Sequence, residues 1–377
     1  MSELNDYVEQ LFDAGSSVTI VTNGQIKLKN ITRNLACFGV SIHGADAETH
    51  DSITRLPGSF KRAIDTAKTY VQEDHDVRII PVVMGRNYDH MYRIAELAWE
   101  IGAHAIYYDV YEPGGIGEKN AKNIDLNLQP TPGQLRDAIT QILKAKDDFP
   151  FRGSIGFGTA VPFCFDHRLI ERGMQAACGA GTWFCAISST GELRVCNQSK
   201  SVFGNVLNER MDAIWTSPEL DSCFRDLSWV DEPCASCPVL DECGGGCKVD
   251  EGCESGEFCI DRIVRGLPEE VKLKLEKGDL RRFHDLSPPS HSRVLQKSRF
   301  LRVIDQYRSS GDVFFKTRYQ TVRIGRREEA MLRSIEATAG PFDEAAFVQS
   351  FKNGGAAAEL RKFVSVLVKT GAVEVII

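Results

Sequence analysis

Long apolar runs are missing from these 377 residues, and with them any stretch of roughly eighteen that would cross a bilayer as a helix. The basic start and apolar middle of a secretion signal are missing too. The first residues, MSELNDYVEQLFDAG, read instead as a polar amphipathic helix. Positive charge is not in excess: the formal net charge is −7, which points away from nucleic acid as a partner. No biased tract of the disordered kind and no internal repeat occurs. The sequence therefore predicts a cytoplasmic globular protein with no membrane contact, long enough for two or three domains. Cysteine is scarce in one part only. Cys37 and Cys164 alone precede residue 175, whereas the other ten of the twelve lie between Cys178 and Cys259. In a reducing cytosol such crowding points to metal or catalysis and away from disulfides.

The first 160 residues alternate strand and helix. Strands are expected at 17–24 (SVTIVTNG), 35–44 (LACFGVSIHG), 77–84 (VRIIPVVM), 103–111 (AHAIYYDVY) and 152–158 (RGSIGFG). Between most of them lie amphipathic helices such as SFKRAIDTAKTYVQE and YDHMYRIAELAWEIG. That order implies right-handed βαβ units and a parallel sheet, in a barrel or a doubly wound fold. Ligands then meet the loops after the strands, here TNG, SIHGADAETHD, MGRN and EPGGIG, although the same glycines and asparagines also suit plain turns. PTPGQLRDAITQILKAKDD predicts a helix leading to an irregular, glycine-rich region at 178–262, with MDAIWTSPELDSCFRDL as its main helical insertion. A charged helix follows from Pro268, then the linker HDLSPPSHS. The tail, 293–377, is expected to hold a helix at RVLQKSRFLRVIDQY, a hairpin around GDVFFKTRYQTVRIG, two or three helices and a last strand, AVEVII, together a small winged-helix-like domain.

The cysteine spacing is Cys178-x12-Gly191-x4-Cys196, then Cys234-x2-Cys237-x5-Cys243-x3-Cys247, then Cys253 and Cys259. Structural zinc takes four thiolates per ion, usually as two tight pairs. Iron–sulfur clusters also take four each, often at uneven spacing, and one pair followed by widening gaps leans towards them without excluding zinc.

The stretches Cys178-GAG, Gly191-ELRV-Cys196, FGNV (203–206), Ile214-Trp215, CASC (234–237), CGGGC (243–247) and Cys259 resemble the SPASM domain, the auxiliary-cluster module of radical S-adenosylmethionine (SAM) enzymes. VTNGQ, SIHGADAETHDSITRLPGSF and YEPGGIG are similar to the later strands and loops of the radical SAM barrel in the same family, so the resemblance spans roughly residues 1–262. It implies an α/β fold with a partial radical SAM (βα)6-type barrel at 1–160, third strand onward. A Cys-rich SPASM domain at 161–265, a helix and linker at 266–292 and the winged-helix-like domain at 293–377 follow. It also implies two auxiliary [4Fe–4S] clusters. Cys178, Cys196 and Cys247 match ligands of the first, whose fourth ligand is Cys164, Cys185 or Cys253, or an open position. Cys234, Cys237, Cys243 and Cys259 match the second. Cys37 and Cys223 are expected as buried, apolar-like cysteines. For SAM, the resemblance implies Ser41 and Arg55, with Asn23 and the backbone at Pro113 and Gly114 bordering the nucleoside. The family has Asp where this chain has His43.

The family holds its SAM-cleaving cluster with CxxxCxxC after the first barrel strand, and neither that motif nor a GGEP-like loop occurs in this sequence. A start called too far downstream or a truncated gene, a degenerate protein, and a partner chain supplying the first strands are the competing expectations. The resemblance implies a maturase-type enzyme that modifies a peptide or protein through a 5′-deoxyadenosyl radical, with a ferredoxin or flavodoxin as reductant. The alternative is a non-catalytic iron–sulfur or electron-transfer protein. A redox-sensing DNA regulator fits less well, because the tail helices are acidic.

Overall fold

The computed structural model describes residues 2–112, 128–174, 176–249, 261, 294–297, 301–304, 313–317, 321–324, 326–351, 357–369 and 372–376. In chain order the first elements are α1 (Ser2–Asp13), β1 (Thr19–Thr22), β2 (Cys37–Ser41), α2 (Ala47–Thr54), α3 (Ser59–Gln72), β3 (Val77–Ile80), β4 (Val82–Val83), α4 (Met91–Ile101), β5 (Ala105–Val110), α5 (Pro132–Asp148), β6 (Ile155–Phe157) and α6 (His167–Glu171). Every strand expected in this region forms. The stretch 77–84 splits in two at Pro81, which has no N–H to give a ladder. Local signals set the helix ends. The Thr131 side chain caps α5 in a reciprocal box with Gln134, and Pro132 opens it. Gly102, at φ 84°, ends α4.

The strands pair in parallel. β1 lies on β2 from Thr19↔Cys37 to Thr22↔Val40, β4 on β5 at Val82↔Asp109 and Val83↔Val110, and β5 on β6 from Ile106↔Ile155 to Tyr108↔Phe157. Such strands, covered by helices on their faces, are apolar almost throughout, and four successive residues of β2 are buried. Cys37 is one of them, 1% exposed, as an apolar-like cysteine should be.

The small strands β7 (Ala186–Ile187), β8 (Glu192–Arg194) and β9 (Gly204–Asn205) form an antiparallel sheet in the cysteine region. The helical insertion beyond them breaks into α7 (Met211–Trp215), α8 (Pro218–Leu220) and a π turn at Asp221–Arg225, because Pro218 cannot continue α7. In that turn Phe224 takes the buried position and Cys223 is exposed, against the expectation for that cysteine. α9 (Leu240–Cys243) completes the region.

The tail holds β10 (Val294–Lys297), β11 (Arg302–Ile304), β12 (Val313–Lys316), β13 (Thr321–Ile324), α10 (Arg326–Ala337), β14 (Phe342–Asp343), α11 (Glu344–Ser350), α12 (Ala357–Lys369) and β15 (Val373–Ile376). The hairpin, the helices and the last strand form as expected. The helix expected at RVLQKSRFLRVIDQY does not: strands β10 and β11 lie there. β10 pairs antiparallel with both β14 and β15, so tertiary pairing overrides local helical spacing. The charged helix from Pro268 and the linker fall outside the described residues.

The chain divides into two compact units. The first joins Met1–Val40, Thr66–Arg78 and Asp285–Ile377. Within it Phe38 stacks on Tyr70 with ring centroids 3.7 Å apart, Tyr70 Oη accepts the Leu28 N–H at 2.9 Å, and Ser17 Oγ donates to the Thr317 carbonyl at 3.0 Å. The sheets β11-β12-β13 and β14-β10-β15 close with the tail helices over Leu295, Phe315, Met331, Leu332, Val364 and Leu367. The second unit joins Ser41–Asp65 with Ile79–His284 and carries the thiols. Its interior includes Met91, Ile94, Tyr108, Ile139 and Ile142, with Tyr108 Oη–H donating to the Met91 carbonyl at 2.9 Å.

Candidate functional site

Two loops that follow parallel strands in the second unit are locked together by buried amides and imidazoles. After β2 the chain reads Ser41-Ile42-His43-Gly44, and after β4 it reads Met84-Gly85-Arg86-Asn87. Asn87 is fully buried. Its Nδ2 donates to the carbonyls of His43 (2.7 Å) and Val82 (2.9 Å), and its Oδ1 accepts the Met84 N–H (2.7 Å). His43 Nδ1 accepts the Val82 N–H at 3.3 Å, and His50 Nδ1 accepts the His43 N–H at 3.0 Å. Each ring therefore carries its proton on Nε2. The two rings stack with centroids 5.8 Å apart. Burial, and then the neighbouring His50, lower the His43 pKa to about 4, and burial also lowers that of His50, so both are neutral at pH 7. Gly44 is required here, since a Cβ on it would stand 2.6 Å from the His50 backbone N.

The next turn is built by Asp46 and Asp51. Asp46 caps α2 by accepting the Thr49 N–H at 2.9 Å. Asp51 accepts from the Gly58 N–H, the Ser59 hydroxyl and the Phe60 N–H, and these bonds hold its carboxyl below the ordinary range, the Phe60 bond most. Just past Asp51, Arg55 ends α2 at φ 56°, a left-handed conformation that costs a non-glycine residue energy. Its side chain is exposed. Ser41, the last residue of β2, is half-buried. Asn23 lies in the first unit, where it is exposed and its Oδ1 accepts the Gln25 N–H at 3.1 Å, closing a local turn. Pro113 and Gly114 lie outside the described residues.

β5 brings a carboxylate to the same unit. Asp109 is half-buried on this strand, and burial pushes its carboxyl up to about 6. Just past the end of the neighbouring strand β6, Gly158 makes room for it: a Cβ there would collide with Asp109 Oδ1.

The thiols fall into two groups. Cys178 and Cys196 pack with Ala180, Val195, Leu220, Phe224 and Val249. Cys247 is near enough to Cys178 to feel its charge. Burial, then Glu112 and Asp261, push its thiol far up. The buried Asp261 accepts the Cys247 N–H at 2.9 Å, and Gly246, at φ 83°, leaves space for its side chain. Lys248 is 4% exposed, with Nζ 4.1 Å from the Phe224 ring centroid. Burial pulls its ammonium pKa down, against the pull of Cys178 and Cys247.

In the second group, Cys237 and Cys243 pack with Phe163, Ile170 and Val239, and Cys234 packs with Val230, Trp229 and Leu240. Cys164 packs in both of these clusters. Its thiol is pushed up to about 12, by burial first and then by Cys243 and Cys237. Cys243 Sγ accepts the Phe163 N–H at 3.5 Å. The structure thus places Cys164 with Cys234, Cys237 and Cys243, not with the group of Cys178, Cys196 and Cys247. Cys185 is half-buried, and burial raises its thiol. Cys253 and Cys259 lie outside the described residues.

Among the described residues no three Cys, His, Asp or Glu side chains close on one point as a single ion requires. Two groups of thiols, the second with the Phe163 N–H aimed at Cys243 Sγ, suit iron–sulfur clusters, in which the metal and sulfide fill the space between ligands. The sequence marks the thiols by their spacing, and Ser41 only through the resemblance. It missed Asn87, His50, Asp109, Glu112 and Lys248. Of these, Asn87, His50 and Glu112 carried a signal, as polar residues of the loops MGRN, SIHGADAETHD and EPGGIG, already marked by their places after strands.

A family model described as an iron–sulfur cluster-binding domain, SPASM, matches residues 178–238. The AdoMet-dependent heme synthase of Methanosarcina barkeri is 25% identical over 268 residues, 65% of this chain and 73% of that protein. The PqqA peptide cyclase of Rhodopseudomonas palustris is 23% identical over 256 residues, 65% of each chain. The fold is similar to that of SuiB of Streptococcus suis bound to the precursor peptide SuiA, with TM-score 0.52 and 16% identity over 69% of this chain and 61% of SuiB. No helix among the described residues is long and apolar enough to cross a membrane.

Proposed function

We propose that the chain, whose residues 178–238 match the iron–sulfur cluster-binding SPASM domain, is a radical SAM/SPASM protein and a maturase-type enzyme modifying a peptide or protein substrate with SAM. The observation that carries this reading is the separation of its thiols into two groups in one unit, with Glu112, just past a parallel strand, beside Cys247. Cys178, Cys196 and Cys247 hold one auxiliary [4Fe–4S] cluster, and Cys234, Cys237 and Cys243 serve the other, with Cys259 as the family pattern implies. Such clusters, when bound, supply one-electron transfer. A ferredoxin or flavodoxin serves as reductant. Ser41 and Arg55 face the methionyl part of SAM, and Asn87 fixes the loop that presents Ser41. Relatives whose names and structures include precursor peptides support a peptide substrate.

The tail serves peptide recognition in this proposal. β11-β12-β13 is a three-stranded antiparallel sheet with edge strands β11 and β13, and an extended leader segment adds to such an edge by main-chain hydrogen bonds.

The test is to express the whole reading frame, load it anaerobically with iron and sulfide, and assay SAM with a strong reductant. About eight irons per chain in these two sites, release of 5′-deoxyadenosine, and transfer of deuterium from a labelled peptide into it are expected. Zinc in place of iron overturns the cluster assignment. Full iron with SAM left intact replaces the enzyme with the electron-transfer protein.

A further inference from the structure

We infer that Cys164, in place of Cys259, is the fourth ligand of the second group's cluster, brought beside Cys234, Cys237 and Cys243 by a loop that precedes the whole spaced motif. The inference rests on the reading that these thiols hold iron–sulfur clusters, and departs from the family pattern in this one ligand.

Three contacts hold this loop against the motif. The Phe163 N–H points at Cys243 Sγ at 3.5 Å. Gly246, in the Cys243-Gly-Gly-Gly-Cys247 turn, approaches so closely that a Cβ on it would stand 2.7 Å from Pro162 Cγ. Cys164 itself packs in both apolar clusters that contain the second group, touching the surroundings of Cys237 and Cys243 in one and of Cys234 in the other. The loop is also fixed from below. Phe163 and Phe165 are 5% and 2% exposed, Val161 pairs with Ala176, and Asp166 caps α6. With its two neighbours anchored in the core, Cys164 cannot swing to the first group without unseating them.

A cysteine that served only packing would not need three other thiols around it. Bringing four thiols together in a buried, reduced site is unfavourable to ionise and is stabilised when iron takes the protons' place. The N–H donors at Cys243 are what cluster thiolates use, since hydrogen bonds to sulfur tune such clusters. Assigning Cys164 here completes four thiolates without Cys259, and leaves Cys185 and Cys253, or an open position, for the first group.

The experiment uses the full chain loaded with iron and sulfide, and compares C164A, C164S and the C234A/C237A double variant with the unmodified protein by iron content and by electron paramagnetic resonance after reduction. C164A is expected to lose or shift the second-group signal while the first-group signal is unchanged. Added to the C234A/C237A background, C164A is expected to change nothing further, since that cluster is already gone. If C164A lowers iron further in that background, or perturbs the first-group signal, Cys164 serves the other site and the inference fails. If C164A leaves both signals as they were, it also fails. C164S retains the volume, so a signal lost in C164A and C164S alike, with the circular-dichroism spectrum preserved, separates ligation from misfolding. An unmodified protein that takes up no iron at all overturns the underlying cluster reading instead.

Discussion

Replacing Asn87 by alanine tests whether the two strand-end loops are held by this one side chain. The substitution removes two donated bonds and one accepted bond. The Met84 N–H is left buried without a partner, which costs about 1–3 kcal/mol, and the His43 and Val82 carbonyls, on half-buried residues, cost about half as much each because water reaches them in part. The sum is about 2–6 kcal/mol, centred on about 4. Asn87→Asp keeps the acceptor for Met84 but turns a carboxylate towards two carbonyls, and is expected to cost at least as much. The four tryptophans, Trp99, Trp183, Trp215 and Trp229, all lie in the second unit, so urea unfolding followed by tryptophan fluorescence reads that unit. With a slope of ~3 kcal/mol per molar, the midpoint falls by about 1 M. A loss under about 1 kcal/mol at unchanged slope would refute the claim that Asn87 ties the loops.

The same corner sets an acid limit. The folded His43 pKa of about 4 lies below its ordinary 6.5, so its contribution is complete above pH 6.5 and is lost as pH falls through 4. The loss approaches about 3 kcal/mol, and His43→Gln is expected to flatten the stability–pH curve in that window. His50 shifts the same way. For the metal-free protein the thiols act at the other end. The Cys164 thiol, raised to about 12, stabilises below the ordinary thiol pKa and ceases to as pH climbs through 12. Cluster loading must remove these protons, so visible absorbance should grow faster at pH 8.5 than at pH 7. Gly44→Ala drives a Cβ against the His50 backbone and is expected to lower Tm, at a cost of about 1–3 kcal/mol. An unchanged Tm would mean that the loop can move aside.

The parallel sheet was legible because strands such as β2 are apolar on both faces and because the strands lead into loops bearing Gly and Asn, as the Ser41-Ile42-His43-Gly44 exit shows. The thiols were legible because ligand spacing is written along the chain. Their grouping followed from the resemblance, except for Cys164. Phe163, beside it, meets Cys243 across eighty positions of sequence, and no local pattern records a contact made by folding. Cys223 misled for a similar reason: the π turn rotates Phe224 into the core and Cys223 out of it. β10 misled because Val294-Leu295-Gln296-Lys297 has no strong alternation of its own and becomes a strand by pairing on both sides. Asp109 and Lys248 carry no signal at all in isolation, since what sets them apart is burial.

The first unit is sewn from both ends of the polypeptide, Met1–Val40 and Thr66–Arg78 with Asp285–Ile377. On the ribosome, therefore, β1 and β2 emerge first and yet wait longest. Their unit cannot be finished until the last segment is made, which takes roughly 5–20 s after the thiol-bearing unit is complete. During that interval the cysteine region is whole while the rest of the molecule is unfinished, and iron can be delivered to a nascent chain. A stop codon anywhere after His284 would then spare the cysteines and still strand the first two β-strands without the tail they close upon.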